Sequence, residues 1–128
     1  SILPFLKEEG YHIGLASSTK EAVVREELKQ VGIDEFFEVI IGGDNVSKSK
    51  PDPEIFLACC DRLGGLPLET YVIEDSYNGI RAAAAAGMQP IMVPDLLKAT
   101  DEMRKLSCAV KEDLYKVMEY LKKEEEDE

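Results

Sequence analysis

Short apolar blocks alternate with longer amphipathic stretches along the chain. The blocks His12-Ile13-Gly14-Leu15-Ala16, Glu38-Val39-Ile40-Ile41, Tyr71-Val72-Ile73 and Pro90-Ile91-Met92-Val93-Pro94 have the length and continuity of strands buried on both faces. Between them the period changes to that of a helix. Residues 3–9 read as the end of a helix, with Pro4 tolerable in its first turn and Gly10 as its stop. Ser18 and Glu21 have the spacing of a capping box, and Val24, Leu28 and Val31 give the next helix one apolar face before Gly32. Asp52 with Pro53 behind it predicts another helix start, with Phe56, Cys60 and Leu63 as the buried stripe and Gly64-Gly65 as the end. Ser76 caps a helix that runs through Ala82-Ala83-Ala84-Ala85-Ala86 to Gly87, its alanines allowing close approach to a sheet. A helical piece over residues 96–106, an extended Ser107–Val110 and a last helix with Leu114, Val117, Met118 and Leu121 on its inner side complete the pattern.

Strands alternating with helices through short loops define an α/β fold: a three-layer, Rossmann-like parallel sheet with helices on both faces and right-handed crossovers. No repeat or linker divides residues 1–123, which read as one domain. Net charge is −11, and Glu124-Glu125-Glu126-Asp127-Glu128 supplies five of the negatives, so residues 124–128 are expected to be a solvated, disordered acidic tail. This charge balance argues against nucleic acid or an anionic membrane as partner, because phosphates would be repelled. No apolar run approaches the roughly 18 residues of a membrane span, and no signal-peptide pattern opens the chain. Cys59, Cys60 and Cys108 lack metal-ligand spacing and read as small buried hydrophobes in a reducing, cytoplasmic setting. The one histidine, His12, has no identifiable catalytic partner. The chain opens at Ser1, within a helical pattern, which leads us to expect a fragment of a longer protein.

Polar groups follow several of these elements. Ser17-Ser18-Thr19 follows the first strand, Lys50-Pro51 lies in the loop after the second, and Glu74-Asp75 closes the third. Ligands of open α/β sheets sit beyond the carboxyl ends of the strands, where the first and last of these groups would converge. Hydroxyls and fresh backbone N–H groups at a helix start suit a phosphate, and a lysine adds a compact positive charge. Paired carboxylates offer hard oxygens for Mg2+, which takes one or two of them from protein. Singly, Ser18 is a helix cap, Lys50 a loop lysine and Asp75 a helix-start residue. In this order the three groups point to phosphoryl transfer.

These stretches resemble the haloacid dehalogenase-like (HAD-like) superfamily, in its β-phosphoglucomutase and small-molecule phosphatase branch. Leu15-Ala16-Ser17-Ser18-Thr19 is similar to the family's second motif, Ser47–Phe56 with Lys50-Pro51 to its third, and Val72-Ile73-Glu74-Asp75-Ser76 with Asn78-Gly79 to its fourth. The resemblance implies an enzyme that transfers phosphoryl groups of a small phosphorylated metabolite, as phosphatase or phosphomutase, through an aspartyl-phosphate. It implies Ser17 and Ser18 as phosphate-binding, Lys50 as phosphate-binding and catalytic, Asp75 as catalytic, and Glu74 and Asp75 as Mg2+ ligands. The family's first motif, Asp-x-Asp, and its helical cap domain have no counterpart here. The chain alone is therefore expected to be inactive, and Asp44, the nearest substitute nucleophile, reads as a turn former. The absent strand would lie between those ending at Ala16 and Asp75. That leaves a sheet gap to be closed by direct pairing of its neighbours, by a second copy, or by the missing N-terminal part of the parent. A phospho-receiver-like signalling module is the alternative, although its Lys-Pro would come last in the chain. A dinucleotide-binding module lacks its G-x-G-x-x-G.

Overall fold

The structure, a computed structural model, describes residues 2–94 and 98–126. Its elements run α1 (Ile2–Glu8), β1 (Gly14–Ala16), α2 (Glu21–Gln30), β2 (Val39–Ile41), α3 (Glu54–Leu63), β3 (Tyr71–Glu74), α4 (Tyr77–Ala85), β4 (Gln89–Met92), α5 (Asp101–Leu106), β5 (Ala109–Val110) and α6 (Leu114–Glu126), with short 3-10 turns in the loops. This is the expected alternation, with β1, β2, β4 and β5 a residue or two shorter and β3 one residue longer, through Glu74. Residues 96 and 97 of the helical piece expected from 96 lie outside the described residues. Within them, α5 starts where Thr100 Oγ1 accepts the Met103 N–H at 3.2 Å.

All described pairings are parallel, but they form two sheets instead of one: β1 with β2, and β3 with β4 and β5. Leu15 lies opposite Ile40 in the first, and Ile73 opposite Ile91 in the second. Because successive strand residues face opposite ways, Ile41 packs toward α3 while Ile40 packs with Val24 and Leu28 of α2. Likewise Met92 joins Met103 and Ile80 on one face, and Ile91 joins Ile2, Val117 and Leu121 on the other. Helices thus cover both faces, as the sequence predicts. Ile41, Ile91, Met92, Met103 and Val117 are fully buried, each worth about 1.5–3 kcal/mol of hydrophobic transfer.

Helix α3 ties the two sheets together, its Phe56, Cys59 and Cys60 sharing one core with Ile41, Val72 and the alanines of α4. Beneath it β1 and β3 do not pair with each other. Of the expected ways to close the sheet gap, direct pairing of its neighbours is therefore absent among the described residues. A cavity of about 890 Å³ separates them, lined by both strands and by α1, α3 and α6.

Four expectations are corrected. Val31 is exposed, because α2 ends at Gln30 and Val31 is already past its last turn. Leu114, expected inside, is exposed at the first residue of α6. Cys108 is exposed, whereas Cys59 and Cys60 are buried, all three as free thiols. The acidic run is not disordered from residue 124: α6 continues through Glu126, since glutamate is a good helix former.

Close approach of α3 to β1 depends on Gly14, where an added Cβ would lie 2.6 Å from Cys59 Sγ and 3.0 Å from Leu63 Cδ1. Gly14→Ala is expected to cost about 1–3 kcal/mol in urea unfolding through overpacking. The Gly14→Ala/Cys59→Ala double variant should lose less than the sum of the single losses, because the two side chains compete for one space.

Candidate active site

The loop after β2 brings Lys50 across to the end of β3, where its Nζ donates to Glu74 Oε2 at 2.7 Å. Both side chains are largely withdrawn from water, at 14% and 12% exposure. The Lys50 ammonium also stands 5.0 Å from the Phe56 ring centroid, an arrangement that keeps a cation in place at the start of α3. The loop itself is held by Glu54, whose carboxylate accepts from the Ser47 N–H and hydroxyl and from the Lys48 N–H. Asp52 Oδ1 accepts the Glu54 N–H at 3.0 Å, so Asp52 caps α3 as its position predicts.

Glu74 is further held by its own chain. Its Oε1 accepts from the Asp75 N–H at 3.0 Å and from the Ser76 N–H and hydroxyl at 3.4 Å. Burial works against its charge, but the Lys50 contact and these N–H groups outweigh it and hold the carboxyl below the usual range. Room for the carboxylate comes from Gly79, where any Cβ would overlap it. Ser76 Oγ accepts the Gly79 N–H at 3.0 Å and starts α4, the cap expected from sequence.

On the neighbouring sheet the turn after β1 is built differently from expectation. Ser18 and Glu21 form no capping box: α2 begins after Lys20, with no side-chain cap on its own strand side. Instead Asp44, from the loop after β2, accepts the Glu21 N–H with Oδ1 at 2.8 Å. The expected turn former is therefore a helix cap supplied from 23 residues away. The Gly43 N–H donates to the Thr19 carbonyl at 2.8 Å, and a Cβ on Gly42 or Gly43 would collide with the backbone of Glu21 or Ser18. Ser17 is half-buried, with its Oγ accepting the Thr19 N–H at 3.1 Å, and Ser18 is exposed.

The structure thus joins Lys50 to Glu74 directly, and sets Ser17 and Ser18 against the Gly42–Asp44 loop. Both groupings follow the carboxyl ends of parallel strands, and exposed Asp75 follows β3. The cavity between the sheets reaches Ala16 and Glu74. Sequence reasoning missed the roles of Asp44 and Glu54, whose partners lie across loops and leave no local spacing signal. His12 sits at the surface on Glu38, 3.0 Å from its Oε2. Burial pushes the Cys59 thiol up to about 11, which removes it as a nucleophile.

The family model described as haloacid dehalogenase-like hydrolase matches residues 1–93. The chain belongs to this family, on the branch that holds phosphatases and β-phosphoglucomutase. It is 38% identical over 89 residues to a phosphorylated carbohydrates phosphatase of Thermotoga maritima, covering 70% of this chain and 41% of that protein. To hexitol phosphatase B of Escherichia coli it is 35% identical over 88 residues, covering 69% and 40%. The β-phosphoglucomutase structure from Clostridium difficile superposes with a TM-score of 0.81 at 29% identity, over 95% of this chain and 52% of that one. The chain thus spans about two-fifths of the length of the curated relatives it matches. Membership among hydrolases favours the catalytic reading over the receiver-like one.

Lys50→Met leaves Glu74 half-enclosed without its partner, and should cost about 3–5 kcal/mol at pH 7 in urea unfolding. Glu74 is held low in the native chain, so its stabilisation is full above the ordinary carboxylate range and fades as pH falls through its native value. In the variant the Lys50 contact no longer offsets burial, so Glu74 takes up its proton at a higher pH than in the native chain and protonation relieves the penalty sooner. The stability gap between the two proteins should shrink steadily from pH 7 to pH 3.

Proposed function

We propose that the rim formed by Ser17, Ser18, Lys50, Glu74 and Asp75 serves Mg2+-dependent phosphoryl transfer on a small phosphorylated metabolite. The substrate class follows the sugar and polyol phosphatases and phosphomutase that the chain resembles. The observation that carries this reading is the Lys50–Glu74 contact at 2.7 Å beyond the strand ends. A lysine fixed by a carboxylate on one side can offer its remaining N–H donors to a phosphoryl oxygen, with little rearrangement as charge develops there. The Ser17 hydroxyl and the N–H groups of its turn would orient the same phosphoryl group.

Asp75, exposed at the rim, and Glu74 would hold the metal ion. Their hard oxygens suit it, and the second lone pair of Glu74 Oε2 allows that oxygen to be shared with Lys50. When bound, the ion neutralises phosphate charge. No carboxylate of this rim is placed to attack phosphorus: Glu74 is held by Lys50, Asp44 caps α2, and Asp75 is assigned to the ion. The attacking aspartate would come from outside these 128 residues. It would form an acyl-phosphate as the ester P–O bond breaks, and water would then release phosphate. The three free thiols fit a reducing, cytoplasmic setting.

The test is an NMR titration of the chain with inorganic phosphate and Mg2+, alongside an assay of sugar phosphates. Shifts should concentrate at Ser17, Ser18, Lys50 and Asp75, weaken at least tenfold in Lys50→Met, and occur without turnover. Shifts elsewhere, or turnover that Lys50→Ala abolishes, would overturn the proposal.

A further inference from the structure

Lys50 reaches the rim on a loop that folds back on the first turn of α3, and three contacts fix its course. The Asp52 N–H donates to the Ser49 carbonyl at 3.0 Å, which closes the loop around Lys50-Pro51. The Lys50 ammonium lies 5.0 Å from the Phe56 ring centroid on its way to Glu74. The incoming arm, Ser47-Lys48, ends on Glu54. Oε2 accepts the Ser47 N–H at 2.9 Å, while Oε1 accepts the Ser47 hydroxyl at 2.8 Å and the Lys48 N–H at 3.1 Å. One carboxylate thus orients two consecutive peptide units immediately ahead of Lys50.

The Ser47 and Lys48 donors outweigh the cost of burial and hold the Glu54 carboxyl below the usual carboxylate range. At neutral pH it is therefore charged, and its hydrogen bonds are of the stronger, charge-assisted kind. An acid in the first turn of a helix also meets the macrodipole favourably, and Glu54 holds that place in α3. The two roles make different demands. The dipole requires only a negative charge near the helix start, whereas the clamp requires the full reach of a glutamate. Precision matters at the far end: a displacement of about 1 Å takes the Lys50 Nζ out of hydrogen-bond range of Glu74.

We infer that Glu54 is the positioning residue for Lys50: by clamping Ser47 and Lys48 it sets how the lysine reaches the rim, acting through the loop and not on a substrate. Its effect on phosphate binding rests on the function proposed above, and its effect on the place of Lys50 does not.

The test compares Glu54→Gln and Glu54→Asp with the native chain. The aspartate keeps the acid in the first turn but is one methylene shorter, so it preserves the dipole contribution and loses the clamp. The Phe56 ring moves the ¹H signals of the Lys50 Cε group upfield as long as the ammonium stays beside it. Both variants should lose at least half of that displacement, with the amide signals of buried Ile91 and Val117 unchanged. Affinity for inorganic phosphate should fall at least fivefold in both. Ser47→Ala, which removes one donor and keeps both N–H groups, should move the Lys50 signal the same way by a smaller amount. Should the Glu54 variants lose their Ile91 signal, the Ser47→Ala displacement decides. Lys50 signals at their native position in these variants, or displaced in Glu54→Gln and native in Glu54→Asp, would overturn the inference. Lys50 signals that move as expected in a chain that binds no phosphate would support the positioning role and overturn the function proposed above.

Discussion

One ion pair organises the carboxyl rim of this molecule. Lys50 and Glu74 belong to loops and strands of different sheets, and each is mostly shielded from solvent. A buried charge is tolerable only when paired and hydrogen-bonded, so their 2.7 Å contact constrains both loops at once. The surrounding residues read as support for it. Phe56 flanks the ammonium, the N–H groups of Asp75 and Ser76 hold the carboxylate, and Gly79 leaves the space it occupies. For a phosphate that approaches this rim, the positive charge is already fixed before binding.

Much of this was legible in the chain. Apolar blocks located β1 to β4, because a strand covered on both faces must be apolar along its length. Ser76 and Asp52 were legible as helix starts, since each satisfies an N–H two or three residues ahead. Lys50, Glu74 and Asp75 stood out by order and type. Their pairing did not: by residue type a lysine suits phosphate and a carboxylate suits a metal ion, whereas the fold sets Lys50 against Glu74. Ser18 and Glu21 show the opposite error. Their local spacing fits a capping box, yet Asp44 takes the Glu21 N–H because the tight Gly42-Gly43 turn presses its loop onto that helix start. Local pattern cannot reveal a competitor that arrives through tertiary packing.

The division of the sheet follows from the same limits. β1 and β3 have the composition of central strands, yet among the described residues each has one neighbour, and apolar groups such as Ile73 are left partly in water. Helix α3 and the Lys50–Glu74 pair hold the halves together across that space, one through apolar packing and the other through charge. The ion pair and the space between the strands adjoin: Glu74 is one of the residues that line the cavity.

The most direct measurement is a ¹³C NMR titration of the Glu74 carboxyl in the native chain. The account predicts a midpoint below the ordinary glutamate value of about 4.3, because Lys50 and the N–H groups of residues 75 and 76 favour the charged form over the cost of burial. A midpoint at or above that value would show that Lys50 does not hold Glu74, and would contradict the account.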